Sequence, residues 1–338
     1  MICISEHAPH DRTNREFEEM TVPLLFLLLI LPPEIKSETG LQQAIHLYQK
    51  GEFGEAVNLL KQLKSSSPDD AEIRLWLGKS YVKIRKWDDA VREMNKAVEL
   101  QPSNAKYHLW LGRFCGFQAD HSSIFRAYFR ARSVLKEFET ARDLAPDDMD
   151  VRFDLLEYYL NAPGFLGGDK DKAKAEAQVI SKLDPSKGYI ARATIYRKNK
   201  DWDMAREELR RATIDYPNNA DAWKDLADYL LDRRDFEGAY DSAKKALALE
   251  EDSKQARLVV AASEIRLGKD IDHAARILEA LTSGTLADEE PDFETAYYWL
   301  GEYYLAKGDK VKARGAFETA LSFNRDYSKA KESLSGLK

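Results

Sequence analysis

The most restrictive feature of this chain is that it repeats itself. The segment AEIRLWLGKSYVKIRKWDDAVREMNKAVELQPSN, residues 71–104, returns in the same phase along most of the 338 residues. Units start near residues 37, 71, 105, 149, 186, 220, 254 and 294. Their eighth position reads Ala44, Gly78, Gly112, Leu156, Ala193, Ala227, Ala261 and Gly301, so seven of eight are Gly or Ala. That is the size restriction of two helices crossing closely, with large residues such as Tyr81, Phe138, Tyr304 and Phe317 filling the groove beside the crossing. Prolines Pro68, Pro102, Pro146, Pro185 and Pro217 fall at unit ends, where a residue that cannot continue a helix stops the second one. Each helix pair leaves an apolar face that only the next pair can cover, so the units are expected to stack. The composition agrees: 44% hydrophobic and 32% charged residues fit helices with one buried and one wet stripe.

Within 71–104 the pattern resembles the tetratricopeptide consensus. Leu77 and Gly78 match its Leu-Gly pair, Tyr81 its aromatic, Trp87 and Ala90 the opening of the second helix, and Ala97 and Pro102 the close of the unit. The same positions return as Leu111 and Gly112, as Trp202, Ala205 and Pro217, and as Leu300, Gly301, Tyr304, Ala313 and Phe317. The resemblance is to bacterial-type members of the family and singles out no particular protein. It implies an all-α, right-handed tetratricopeptide superhelix, an α-solenoid of about eight helix-pair repeats. These are placed near 37–70, 71–104, 105–148, 149–185, 186–219, 220–253, 254–287 and 294–327. A leader, 1–36, precedes the array, and a polar capping helix, 328–338, follows it. The implied function is a non-enzymatic protein–protein interaction scaffold that takes a partner peptide or helix in its concave groove. The alternatives are a cell-envelope assembly or secretion accessory factor, or a subunit that positions a catalytic partner.

The family places certain first-helix positions on the concave surface. Carried over, these are Lys79, Lys83, Lys106 and Arg113, then Asp150 and Glu157, then Lys187, Arg197 and Lys198, then Asp221, Asp228 and Asp232, and finally Glu302. The sign alternates along the array. Inter-repeat salt bridging explains this, each exposed pair contributing little; so does a groove matched to a partner of complementary charge. The clamp that chaperone-tail-binding members use is missing, because Leu41 and Ile45 stand at its first positions.

Two repeats are irregular. Repeat three carries ten surplus residues between Ala119 and Val134, and repeat four carries five between Tyr159 and Ala173. The first surplus predicts a second helix extended backwards by about 15 Å. It presents Phe125, Tyr128 and Phe129 among Arg126, Arg130 and Arg132. Either the second surplus folds over them, with Phe165 and Leu166 as a lid, or Phe125, Arg126, Phe129 and Arg130 form a basic-aromatic edge site for an acidic partner or a membrane surface.

No motif for catalysis is present, and no cofactor is expected. The six histidines form no H-E-x-x-H, and no Cys/His cluster has zinc spacing. His108 and Cys115 lie seven apart on one helix, but Cys115 falls at a buried aromatic position and reads as core. The stretch from Gly164 to Lys170 lacks the Gly-Lys-Ser/Thr ending of a phosphate loop and reads as a widened turn. Asp221, Asp225, Asp228 and Asp232 share one helix face, which supplies no wrapping loop for calcium and reads as a solvated or partner-facing stripe. A net charge of −7 gives no general pull toward nucleic acid, so other proteins are the expected partners.

The run VPLLFLLLIL, Val22 to Leu31, is too short to span a bilayer but has the length of a signal-peptide core. It makes 20–36 a signal-peptide-like segment and the one expected point of membrane contact. Its flank is acidic and no A-x-A-like site follows; a start at Met20 would relieve the first difficulty. The expected location is exported or periplasmic, the alternative cytoplasmic.

Overall fold

Short capped helices, joined by turns of a few residues, build the whole of the described chain. The computed structural model describes residues 33–121, 124–286 and 291–337. Among them, seventeen α-helices follow one another and no strand occurs. They are α1 Pro33–Gln49, α2 Phe53–Ser66, α3 Ala71–Lys83, α4 Trp87–Leu100, α5 Ala105–Asp120, α6 Ile124–Leu144, α7 Met149–Asn161, α8 Lys170–Leu183 and α9 Pro185–Lys198. They continue as α10 Trp202–Asp215, α11 Ala220–Asp232, α12 Phe236–Leu249, α13 Lys254–Leu267, α14 Ile271–Ser283, α15 Phe293–Ala306, α16 Lys310–Phe323 and α17 Ser328–Gly336. Odd and even members pair as antiparallel hairpins, α17 closing the array. This is the all-α superhelix that the repeat pattern predicts. The segment 20–36 lies outside the described residues up to residue 32, and no described helix is long and apolar enough to cross a membrane.

Starts and stops follow local chemistry. Asp70, Asn104, Asp148, Asn219, Ser253 and Asp292 each accept backbone N–H bonds at the start of a first helix. The fourth residue of several first helices donates back across the preceding turn. Arg74 Nε reaches Pro68 O at 3.1 Å, His108 Nε2 lies 2.9 Å from Pro102 O, Arg152 Nε reaches Pro146 O at 2.8 Å, and Trp223 Nε1 reaches Pro217 O at 2.9 Å. Three of these side chains also hold a buried glutamate of their own second helix: Arg74 with Glu93 at 2.8 Å, His108 with Glu137 at 2.7 Å, and Arg152 with Glu176 at 2.8 Å. The buried carboxylates are thus paired, as burial requires.

The eighth-position residues lie at the crossings. A Cβ on Gly78 would stand 2.5 Å from the Phe114 ring, and one on Gly112 would stand 2.5 Å from that of Phe138. The rings that use this space are buried, and each such side chain contributes about 1.5–3 kcal/mol. Cys115 is buried beside them.

Three details depart from the sequence expectation. The surplus of repeat three is not confined to the second helix: α5 has 16 residues against 13 in α3, and α6 has 21 against 14 in α4. Lengthening both members of a hairpin keeps each beside its partner, and Trp87 stacks on Phe117 and His121 near the end of α5, at 6.1 and 4.5 Å between ring centres. The surplus of repeat four forms a 3-10 turn, Gly164–Leu166, against α6, with the Tyr158 hydroxyl donating to Leu166 O at 2.7 Å. Phe165 in that turn is 74% exposed. The side chains of Phe125, Arg126, Phe129 and Arg130 lie outside the described residues. Finally, Pro185 does not merely follow a helix; it occupies the first turn of α9, where its missing N–H costs nothing, with Asp184 as the single linking residue.

The array closes on itself. Phe53 of α2 meets Phe323 of α16 edge to face at 6.2 Å, and Phe323 stacks on Phe293 at 4.8 Å. The Leu286 amide donates to Gln49 O at 2.9 Å, and Arg85 pairs with Asp326 at 3.0 Å. One buried cluster therefore contains Tyr48 and Phe53 from the start of the array together with Phe293 and Phe317 from its end. A second cluster, from Ala193 to Val260, fills the repeats between.

Candidate functional site: the lumen of the superhelix

First helices line the inside of the closed array. Two adjoining cavities of about 420 and 690 Å³ run along α11 and share Ile190, Asp225, Asp228 and Gln255. Ile190, Leu258 and Trp299 supply apolar wall to the first, and Phe153 to the second. The charged wall comes from α7, α9, α11 and α13, with Asp292 before α15 and Lys329 of α17 adding to it.

Of the charged residues singled out from the sequence, Asp150, Lys187, Arg197, Asp221, Asp228 and Asp232 line these cavities, and most of the set is held by other groups of the protein. Lys79 is buried, its Nζ held 4.3 Å from the Trp76 ring centre and 4.0 Å from that of Trp110. A cation between two indole faces is stabilised by their quadrupoles and is not offered to a partner as a free charge. Lys83 lies over Phe53 at 5.8 Å, beside the closure. Arg113 donates to both oxygens of Asp154, at 2.6 and 3.2 Å, and stands 3.7 Å from Asp150. Arg197 approaches Asp232 at 3.7 Å, and Lys198 donates to Asn161 at 2.6 Å. Asp221 pairs with Lys224 at 2.7 Å, Asp228 accepts from Gln255, and Asp232 also meets Lys329 at 3.5 Å. Of the wider set, Lys106 pairs with Glu72 at 3.0 Å and Glu302 with Arg266 at 2.8 Å. The alternation of sign thus coincides with pairing between neighbouring repeats. Asp154 is the bidentate partner that the sequence pattern left unnamed.

The lumen makes charge costly. Burial holds Asp154 above the ordinary carboxylate range even though Arg113 pulls it down. Glu157, on the same helix, is also raised, first by the surrounding protein and then by Asp154. Two further groups escaped the sequence reading. Trp76 and Trp110 occupy the sixth position of successive repeats, a spacing that could have flagged them. Asp326 and Lys329, which meet Arg85 and Asp232, come with Tyr327 from beyond the last complete helix pair, and no periodicity marks them. Among the described residues, no three His, Cys, Asp or Glu side chains are grouped so as to hold a metal ion.

Comparison with known proteins agrees with this architecture. Models of the tetratricopeptide repeat match residues 47–113, and 190–256 with 261–330, together more than half of the chain. The structure is similar to that of yeast Tom70, with a TM-score of 0.58 and 18% identity over 89% of this chain and 63% of that one. This chain therefore spans less than two thirds of the Tom70 chain it matches. A thermophilic tetratricopeptide protein of Thermus thermophilus matches with a TM-score of 0.40 and 16% identity, over 67% of this chain and 98% of that one. The helix pairs, their phase and the matched repeats establish that the chain belongs to the tetratricopeptide-repeat family.

Proposed function

We propose that this protein–protein interaction scaffold takes an extended segment of a partner into its lumen, with no chemistry of its own. The observation that carries the reading is the continuity of the two cavities along α11, where apolar wall alternates with paired charges. Apolar wall offers area to bury, and paired charges can exchange an internal partner for an incoming one, which favours selectivity more than affinity. The apolar run from Val22 to Leu31 favours export, which would set the scaffold to work in the cell envelope.

A photo-crosslinking amino acid placed at Thr194 or Thr295, both on the cavity wall, tests the reading in the native host. The two positions are expected to capture the same segment of the same partner, while Lys245, exposed on the second helix α12, captures none of it. Capture of that segment at Lys245 alone would place binding on the outside and overturn the lumen.

A further inference from the structure

The turn between α16 and α17 does more than connect two helices. Asp326 reaches back to repeat two, where Arg85 donates to it at 3.0 Å, and His121 of repeat three stands 4.0 Å away. It also meets Lys331 of its own segment at 3.4 Å. Tyr327 packs on Tyr298 and exchanges a hydroxyl contact of 3.3 Å with Thr295. Lys329 crosses to repeat six and meets Asp232 at 3.5 Å. One short segment thus ties repeats two and three to repeat six, and Tyr327 and Lys329 form part of the wall of the smaller cavity. Arg85, Asp326, Lys329 and Asp232 are all substantially exposed, so each ion pair is weak and exchangeable. The apolar side of the closure is the stack of Phe323 on Phe293 with Phe53 edge-on to it.

We infer that residues 324–329 are a strap across the mouth of the lumen, held shut by Asp326 on Arg85 and Lys329 on Asp232, and released when these pairs break. Its natural competitor is a partner segment that carries a cation for Asp232, since Lys329 already occupies that carboxylate in the manner such a residue would. Phe323 and the buried Ala330 of α17 hold the two ends of the strap, and the two ion pairs hold the span between them. The inference builds on the lumen as the binding channel, but its test needs no partner, so either can fail without the other.

The full chain, with Cys3→Ser and Cys115→Ala to remove background thiols, carries a single reporter, Thr194→Cys, inside the smaller cavity. Thr194 bonds only along its own helix, to Ile190 O at 3.0 Å, so the change is mild. The probes are N-ethylmaleimide and a polyethylene-glycol maleimide of several kilodaltons. With the strap intact, the bulky reagent is expected to label much more slowly than the small one. Asp326→Arg should raise the bulky reagent's rate about five-fold, as should Lys329→Glu, because each removes a weak tie and shifts the open fraction. Adding Arg85→Glu to Asp326→Arg should restore the slow rate, which general loosening of the fold could not do. A bulky-reagent rate that already equals the small-reagent rate in the parent, or that ignores both single changes, overturns the strap. So does acceleration that the compensating Arg85→Glu leaves in place.

Discussion

At the turn inside three of the repeats, an ordinary side chain holds a conformation that glycine holds in three others. Arg85, Lys200 and Arg234 have φ of 61°, 63° and 62°, and Gly51, Gly268 and Gly308 occupy the equivalent position with φ of 79°, 64° and 78°. A left-handed L-residue costs about 1–2 kcal/mol, and glycine loses about 0.5–1 kcal/mol of that advantage through its freer unfolded chain. Lys200→Gly and Arg234→Gly should therefore each stabilise the protein by roughly 0.5–1 kcal/mol, read as a higher urea midpoint at unchanged slope. Arg85 is the instructive exception, because its guanidinium also holds Asp326 and glycine would remove that bond. At this scale the sequence was partly legible. Gly51, Gly268 and Gly308 share a phase that announces the turn, and the small eighth residues announce the crossing. The pairing of charged side chains was not legible. Lys79 reads as a groove cation until Trp76 and Trp110 are seen on either side of it, and Trp110 comes from another repeat.

Helix crossings give the elements their order, and a side chain too large by a few atoms should disturb them. Gly112 of α5 faces the ring of Phe138 in α6, which is itself buried and cannot swing aside. Gly112→Leu is expected to destabilise by about 1–3 kcal/mol through overpacking, as a lower thermal midpoint with helical circular dichroism intact before melting. An unchanged midpoint would mean that the crossing has slack. The irregular repeats show where element prediction loses its grip. The ten surplus residues between Ala119 and Val134 were visible as an excess, and so was their helical character. Their division between α5 and α6 was not, because helical propensity alone does not say on which side of a turn a residue falls. The single-residue link at Asp184 escaped for a related reason: Pro185 looks the same whether it ends one helix or opens the next.

A linear stack of repeats has ends that fray independently, since each unit contacts only its neighbours. This array differs because its first and last repeats touch, and Phe53, Phe293 and Phe323 join the buried cluster of the beginning to that of the end. No reading of one repeat could reveal this. Closure depends on the twist summed over all the helix pairs, including the lengthened third and the tightly linked fifth, and it uses Leu286 and Asp326, which lie outside the helix-pair pattern. Its consequence is long-range coupling. Phe53→Ala removes a buried ring at the closure and should cost roughly 3 kcal/mol in all. In an open stack that loss would fall on α1 to α4. In the closed array it should also reach α15 and α16, more than two hundred residues along the chain. Native-state hydrogen exchange is the measurement, since it resolves the opening free energy of each helix. Amides of α16 should lose protection in the variant, whereas those of α10, inside the second cluster, should lose much less. Equal protection of α16 in the parent and in Phe53→Ala would show that the two ends merely lie side by side, and that the protein behaves as an ordinary linear solenoid.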